Sequence, residues 1–120
     1  MRVSVELRER TKQYASAIIR LFVTLPKPQP EAQVVGKQLL RCGTSVAAHI
    51  REASRARSDA EFCSKLDTAL QEADEAQLWL ELLRDDCGIT ASPIDHLLRE
   101  TDELIAILVT IVDRTKRRAA

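Results

Sequence analysis

Apolar residues return along this chain at intervals of three, four and seven, the spacing of one buried helical face. Leu7, Tyr14, Ile18, Leu21, Phe22 and Leu25 predict a first helix over residues 4–25. Pro26, Pro28 and Pro30 in "PKPQP" end it, because each lacks an amide proton and restrains the residue before it. That segment is expected to be a stiff connector rather than a recognition ligand. A second helix follows over 31–55. The third, over 59–86, opens at "SDAE", with Ser58 at the N-cap and Glu61 three residues on, a capping box. Its inner face is Phe62, Leu66, Ala69, Leu70, Ala73, Ala76, Leu80 and Leu83, and Gly88 supplies a C-terminal stop.

The fourth helix, over 93–116, starts at "SPID", with Ser92 as N-cap, Pro93 at the first helical position and Asp95 near the positive end of the macrodipole. Its inner face is Ile94, Leu97, Leu98, Ile105, Leu108 and Ile111 or Val112, and the closing "RTKRRAA" is expected to fray. Four helices joined by short loops predict an all-α fold, an antiparallel up-down-up-down four-helix bundle, with residues 1–120 as one domain.

The second helix contains "KQLLRCGTSVAAHIREA", with three poor helix formers in a row. If the helix runs through them, Val35, Leu39, Cys42, Val46, Ile50 and Ala53 make one apolar stripe and the register never slips. Beside it lies a stripe of small residues, Gly36, Gly43 and Ala47, broken by Leu40. Glycine in a helix interior costs roughly 1 kcal/mol relative to alanine. That cost is tolerable where a missing side chain lets another helix come close. The stripe therefore predicts a close helix contact, inside the bundle or between subunits. A third stripe, Lys37, Arg41, Thr44, Ala48, Arg51 and Arg55, is polar and mostly basic.

Composition narrows the class. Tyr14, Phe22, Phe62 and Trp79 are the only aromatic residues among 120, so the core is built from Leu, Ile, Val and Ala. No apolar run reaches the ~18 residues of a membrane span, and the N-terminus has no signal-like apolar region. Cys42, Cys63 and Cys87 are odd in number and lack metal-ligand spacing. These features predict the cytoplasm, reduced thiols and no membrane partner. Net charge is zero, but its distribution is uneven. Residues 1–57 carry eleven basic and four acidic groups, residues 58–113 three and fourteen, and the tail adds Arg114, Lys116, Arg117 and Arg118. Such a split suits an anion on one side, or a basic face of one copy docking on an acidic face of another.

Little else suggests catalysis. Cys42 and His49 are seven residues apart, about 10.5 Å of helical rise, too far for a thiol–imidazole hydrogen bond. Glu72, Asp74, Glu75 and Glu81 lack the Glu-x-x-His pairs of di-iron bundles, and His96 has no matching carboxylate motif. There is no Gly-rich phosphate loop and no nucleophile elbow. The expectation is a protein that is not an enzyme and takes no cofactor. The basic residues Lys37, Arg41, Arg51, Arg55, Arg57, Arg114, Lys116, Arg117 and Arg118 are the candidates for phosphate contacts with RNA or DNA. They have no interleaved aromatics for base stacking.

Two blocks carry a resemblance. "KQLLRCGTSVAAHIREA" and "EFCSKLDTALQEADEAQLWLELLRD" resemble the bacterial "four helix bundle protein" family. This family includes proteins encoded by intervening sequences in large-subunit ribosomal RNA genes. More distantly it includes the accessory variability determinant of diversity-generating retroelements. Lys37, Gln38, Leu39, Leu40, Arg41, Gly43, Thr44, Ser45, Ala48, Ile50, Glu52 and Ala53 match the first block. Phe62, Lys65, Leu66, Ala69, Glu72, Ala73, Glu75, Trp79, Leu80, Leu82 and Leu83 match the second. The sequence departs from the pattern at Cys42, His49, Ala76 and Leu78, where the family has Ser, Asn, Thr and Tyr. The resemblance implies a bundle that assembles into a ring of five subunits. Most members of the family have no assigned activity.

Overall fold

The computed structural model describes residues 3–119. Four helices follow in order, α1 (Val5–Thr24), α2 (Pro30–Ala53), α3 (Asp59–Asp85) and α4 (Ser92–Ala119). They form the up-down-up-down bundle that the periodicity predicts, a rod 51 Å long and 20 Å across. The α2–α3 interface is the most extensive and the α1–α4 interface the slightest.

Each boundary has a local cause. Ser4 caps α1, its hydroxyl accepting from the Leu7 amide at 3.1 Å. Pro30 opens α2 at a position where its missing N–H is not needed. The proline-rich connector is held rather than loose. Gln33 Nε2 donates to the Leu25 and Pro26 carbonyls, and Gln29 Nε2 donates to the Cys87 carbonyl at 2.6 Å, tying the first loop to the third.

Ser58 caps α3 by accepting from the Glu61 amide at 3.0 Å. The Glu61 carboxylate accepts from the amide of Arg57, one residue before the partner expected in a capping box. After α3, Gly88 turns the chain at φ +70°, a backbone conformation that side chains disfavour. This bend brings the Ile89 amide to the Leu83 carbonyl at 2.9 Å.

The core follows the expected stripes with informative exceptions. In α4, Leu104 is fully buried while Ile105 and Leu98 only pack against the edge of the core. Thr11, Thr101 and Thr115 are buried on inner faces. Each donates its hydroxyl proton to a carbonyl one turn back, at Leu7, Leu97 and Ile111, so none is an unsatisfied polar group. The tail does not fray as expected. Instead α4 continues to Ala119, because Thr115 is buried and Lys116 lies 3.9 Å from Asp67 of α3. Basic residues in this last turn also complement the helix macrodipole.

Candidate functional site

The "CGTS" segment lies within α2, which runs without a break from Pro30 to Ala53. Gly36 and Gly43 are both buried, and both face α1. A Cβ on Gly43 would overlap Ile18 Cδ1, and one on Gly36 would overlap Leu25 Cδ1 and come within 3.1 Å of Phe22 Cδ1. The sequence left open whether this small-residue contact lies inside the bundle or between subunits. For the two glycines it is internal, with the α1 side chains seated where Cβ atoms would stand.

Ala47, the third member of that stripe, plays a different part. With Ala15, Ser16, Ile19 and Ala48 it lines an open groove of about 390 Å³ on the outside of the α1–α2 pair. Arg8, Lys12 and Arg51 complete the lining, so the groove holds three cations and no carboxylate. None of the three cations makes an ion pair among the described residues, and Arg8 Nε is a buried nitrogen without a hydrogen-bond partner. Large apolar side chains stand exposed along the same two helices, Ile19 and Val23 on α1 and Val34 on α2.

The basic residues singled out in the sequence fall in four places. Arg41 is committed within the chain: its guanidinium reaches Glu72 at 3.1 Å and Glu75 at 3.4 Å, both on α3. Lys37, near the start of α2, stands ~24 Å of helical rise from the end of that helix and belongs to no cluster with Arg55. Arg55, Arg57, Arg114, Lys116, Arg117 and Arg118 lie at the same end of the rod, because α2 and α4 run in the same direction and finish there, with Lys116 3.9 Å from Asp67. Arg114, Arg117 and Arg118 border a cleft of about 380 Å³ with Phe62, Ile111 and Thr115. Arg51 lies one turn short of this end, in the groove already described.

Basic and acidic segments also meet inside one chain. Arg10 of α1 donates to Glu100 through Nε at 2.8 Å and Nη2 at 2.7 Å, and to Glu103 at 2.7 Å. The Arg10 hydrogen bond holds the Glu100 carboxyl below its usual range. Lys65 lies 3.6 Å from Glu52, and Gln77 donates to Asp102. Leu78 is an exception on α3, an apolar side chain 49% exposed on the outer face. Its neighbours one turn away are Asp74, Glu75, Glu81 and the half-buried Leu82. The resemblance gave no warning of it, because Leu78 stands where the family has Tyr.

Cys42 is completely buried, and burial pushes its thiol up to about 11. His49 Nδ1 pairs with the Glu52 carboxylate at 2.9 Å, on its own helix. A thiol held protonated and an imidazole engaged elsewhere make no nucleophile–base pair.

A crystal structure from Bacteroides thetaiotaomicron, of a protein with unknown function from the S23 ribosomal protein family, is similar to this chain with a TM-score of 0.80 and 36% identity. The match covers 88% of this chain and 97% of that one. Comparison with curated proteins finds no match. A family profile described as 23S rRNA-intervening sequence protein matches residues 4–110, which takes in all of α1, α2 and α3 and most of α4. With nearly every helix inside that match, the chain belongs to the 23S rRNA-intervening sequence protein family.

Proposed function

We propose that this protein acts by assembly rather than catalysis, as a cytoplasmic homo-oligomer, with five subunits as the family resemblance implies. The observation that carries this reading is the set of large apolar side chains outside a core that is already closed. Ile19, Val23 and Val34 stand on the α1–α2 face, and Leu78 stands among carboxylates on α3. Exposed apolar groups that add nothing to the fold are accounted for when another subunit covers them. The test is light scattering coupled to size exclusion. A species of five chain masses, independent of loading concentration, is expected, and a monomer throughout removes the proposal.

A second reading, nucleic-acid binding, is favoured by one observation. Six of the nine basic candidates lie at a single end of the rod, with Arg114, Arg117 and Arg118 around one cleft. Phosphate contacts there would release counterions, so binding of a short RNA or DNA duplex should fall steeply with salt. Replacing Arg114, Arg117 and Arg118 together by Glu should abolish that binding. Arg41→Ala should leave it unchanged, because Arg41 is already paired to Glu72 and Glu75. No binding at low salt disposes of this reading.

A further inference from the structure

Two surface features of the chain are complementary to each other. The outer α1–α2 groove is lined by Ala15, Ser16, Ala47 and Ala48 with Ile19 beside them, and has cations at its edge and no carboxylate in its lining. On α3, Leu78 projects with Asp74 and Glu81 one turn to either side, beside the half-buried Leu82 and beside Glu75, whose carboxylate also meets Arg41 at 3.4 Å. An apolar ridge flanked by carboxylates matches a hollow lined by small side chains and Ile19 and edged by cations, in apolar character and in charge. We propose that the Leu78 ridge of one copy seats in the α1–α2 groove of the next. The inference rests on the homo-oligomer reading and names the surfaces that would form it.

The geometry has a chemical logic. Four small residues, with Ile19 as an apolar wall, line a hollow able to receive a leucine side chain when helices pack. Among the described residues Arg8, Lys12 and Arg51 have no carboxylate partner, and Arg8 Nε is buried without an acceptor. An acidic ridge brings acceptors to the groove. Val109 of α4, also exposed, makes a poorer ridge, since Asp113 is the one carboxylate within a turn of it. Groove and ridge lie on different helices, and a head-to-tail contact joins the ridge of each copy to the groove of the next. Each subunit offers one of each, and repetition closes a ring when the rotation permits.

The full-length chain tests this in solution with two variants. Leu78→Glu destroys the ridge and keeps the groove, while Ala48→Glu fills the groove with a carboxylate and keeps the ridge. Both sites are exposed, so helical content by circular dichroism should match the wild type. Each variant alone should be monomeric by light scattering. Mixed in equal amounts, they should form a dimer and nothing larger, because one sound groove meets one sound ridge. Wild-type assembly should also weaken as salt rises.

A Leu78→Glu variant that keeps the wild-type mass overturns the inference while leaving the homo-oligomer reading intact. A mixture that stays monomeric overturns it too. If the wild type is itself monomeric, both fall. Binding of a short RNA duplex by assembled wild type, lost in Ala48→Glu, would show the groove open in the assembly and assign it to nucleic acid instead.

Discussion

The Tyr14 hydroxyl lies 2.6 Å from the Thr101 hydroxyl, in a buried hydrogen bond that joins α1 to α4 across their slight interface. Thr101 spends its own proton on the Leu97 carbonyl at 2.7 Å, so Tyr14 is the donor. Tyr14→Phe should therefore lower stability by about 1 kcal/mol, the worth of one buried neutral hydrogen bond. Burial pushes Tyr14 ionisation from 10.0 up to about 12. A folded value above the unfolded one means that the contribution is whole below pH 10 and is lost as pH rises toward 12. Tyr14 is the one tyrosine in the chain, so tyrosinate absorbance follows it alone. A Tyr14→Phe variant with an unchanged alkaline stability slope would contradict this account.

Gly43 and Ile18 should show non-additive energetics. A methyl group at Gly43 would overlap Ile18 Cδ1, and Ile18 is fully buried with little room to turn away. Gly43→Ala gains about 1 kcal/mol of helix propensity but suffers an overlap of about 1–3 kcal/mol. A net loss near 1 kcal/mol is expected. Ile18→Val alone should cost roughly 0.5–1.5 kcal/mol through the cavity it leaves. In the double variant the new methyl occupies that cavity, so the combined loss should fall below the sum by at least ~0.5 kcal/mol. Urea denaturation of the four proteins decides it, and simple additivity would mean that the two side chains do not compete for one space.

These two relationships mark what the sequence made legible. Apolar spacing gave four helices with boundaries within about three residues of those observed, because burial of a helical face leaves its period in the chain. Thr101 and Thr115 were invisible to that reading. A threonine that satisfies its hydroxyl on its own helix can sit in an apolar interface, and hydropathy alone cannot distinguish it from a surface residue. In α4 the adjacent pairs Leu97–Leu98, Leu104–Ile105 and Ile111–Val112 let the face rotate by one residue, and only the neighbouring helices decide which member is buried. Arg41 looked like a free cation because its carboxylates lie 31 and 34 residues away. The placing of the basic tail at the same end as Arg55 and Arg57 follows from topology, once the helices are known to alternate in direction.

The Arg10 fork should make stability depend on acid. Its hydrogen bond to Glu100 holds that carboxyl below the ordinary 4.5. A depressed folded value means that the contribution is whole above pH 4.5 and is lost as pH falls through the folded value. Arg10 is 37% exposed, so solvent screening limits the fork to about 1 kcal/mol. Arg10→Gln should remove that amount at neutral pH and flatten the acid limb of the stability profile. Stability falling in parallel in both proteins from pH 5 to pH 3 would show that other carboxylates carry the acid response.

Cys42 should behave as a core residue in its reactivity. It is fully buried and its thiol is pushed up to about 11, so at pH 8 little of it is thiolate and none of it meets solvent. A maleimide reagent should label it only through opening of the bundle, at a rate that falls as stability rises. Cys42→Ser, which installs the residue of the family pattern, should cost no more than ~1 kcal/mol, because Arg41 Nη2, 3.2 Å from the sulfur, offers the new hydroxyl a donor. Mass spectrometry after timed labelling identifies which cysteine reacts. Rapid labelling of Cys42 in the folded protein would mean that the α2–α3 interface opens locally, and that its burial reflects only the most closed state of that interface.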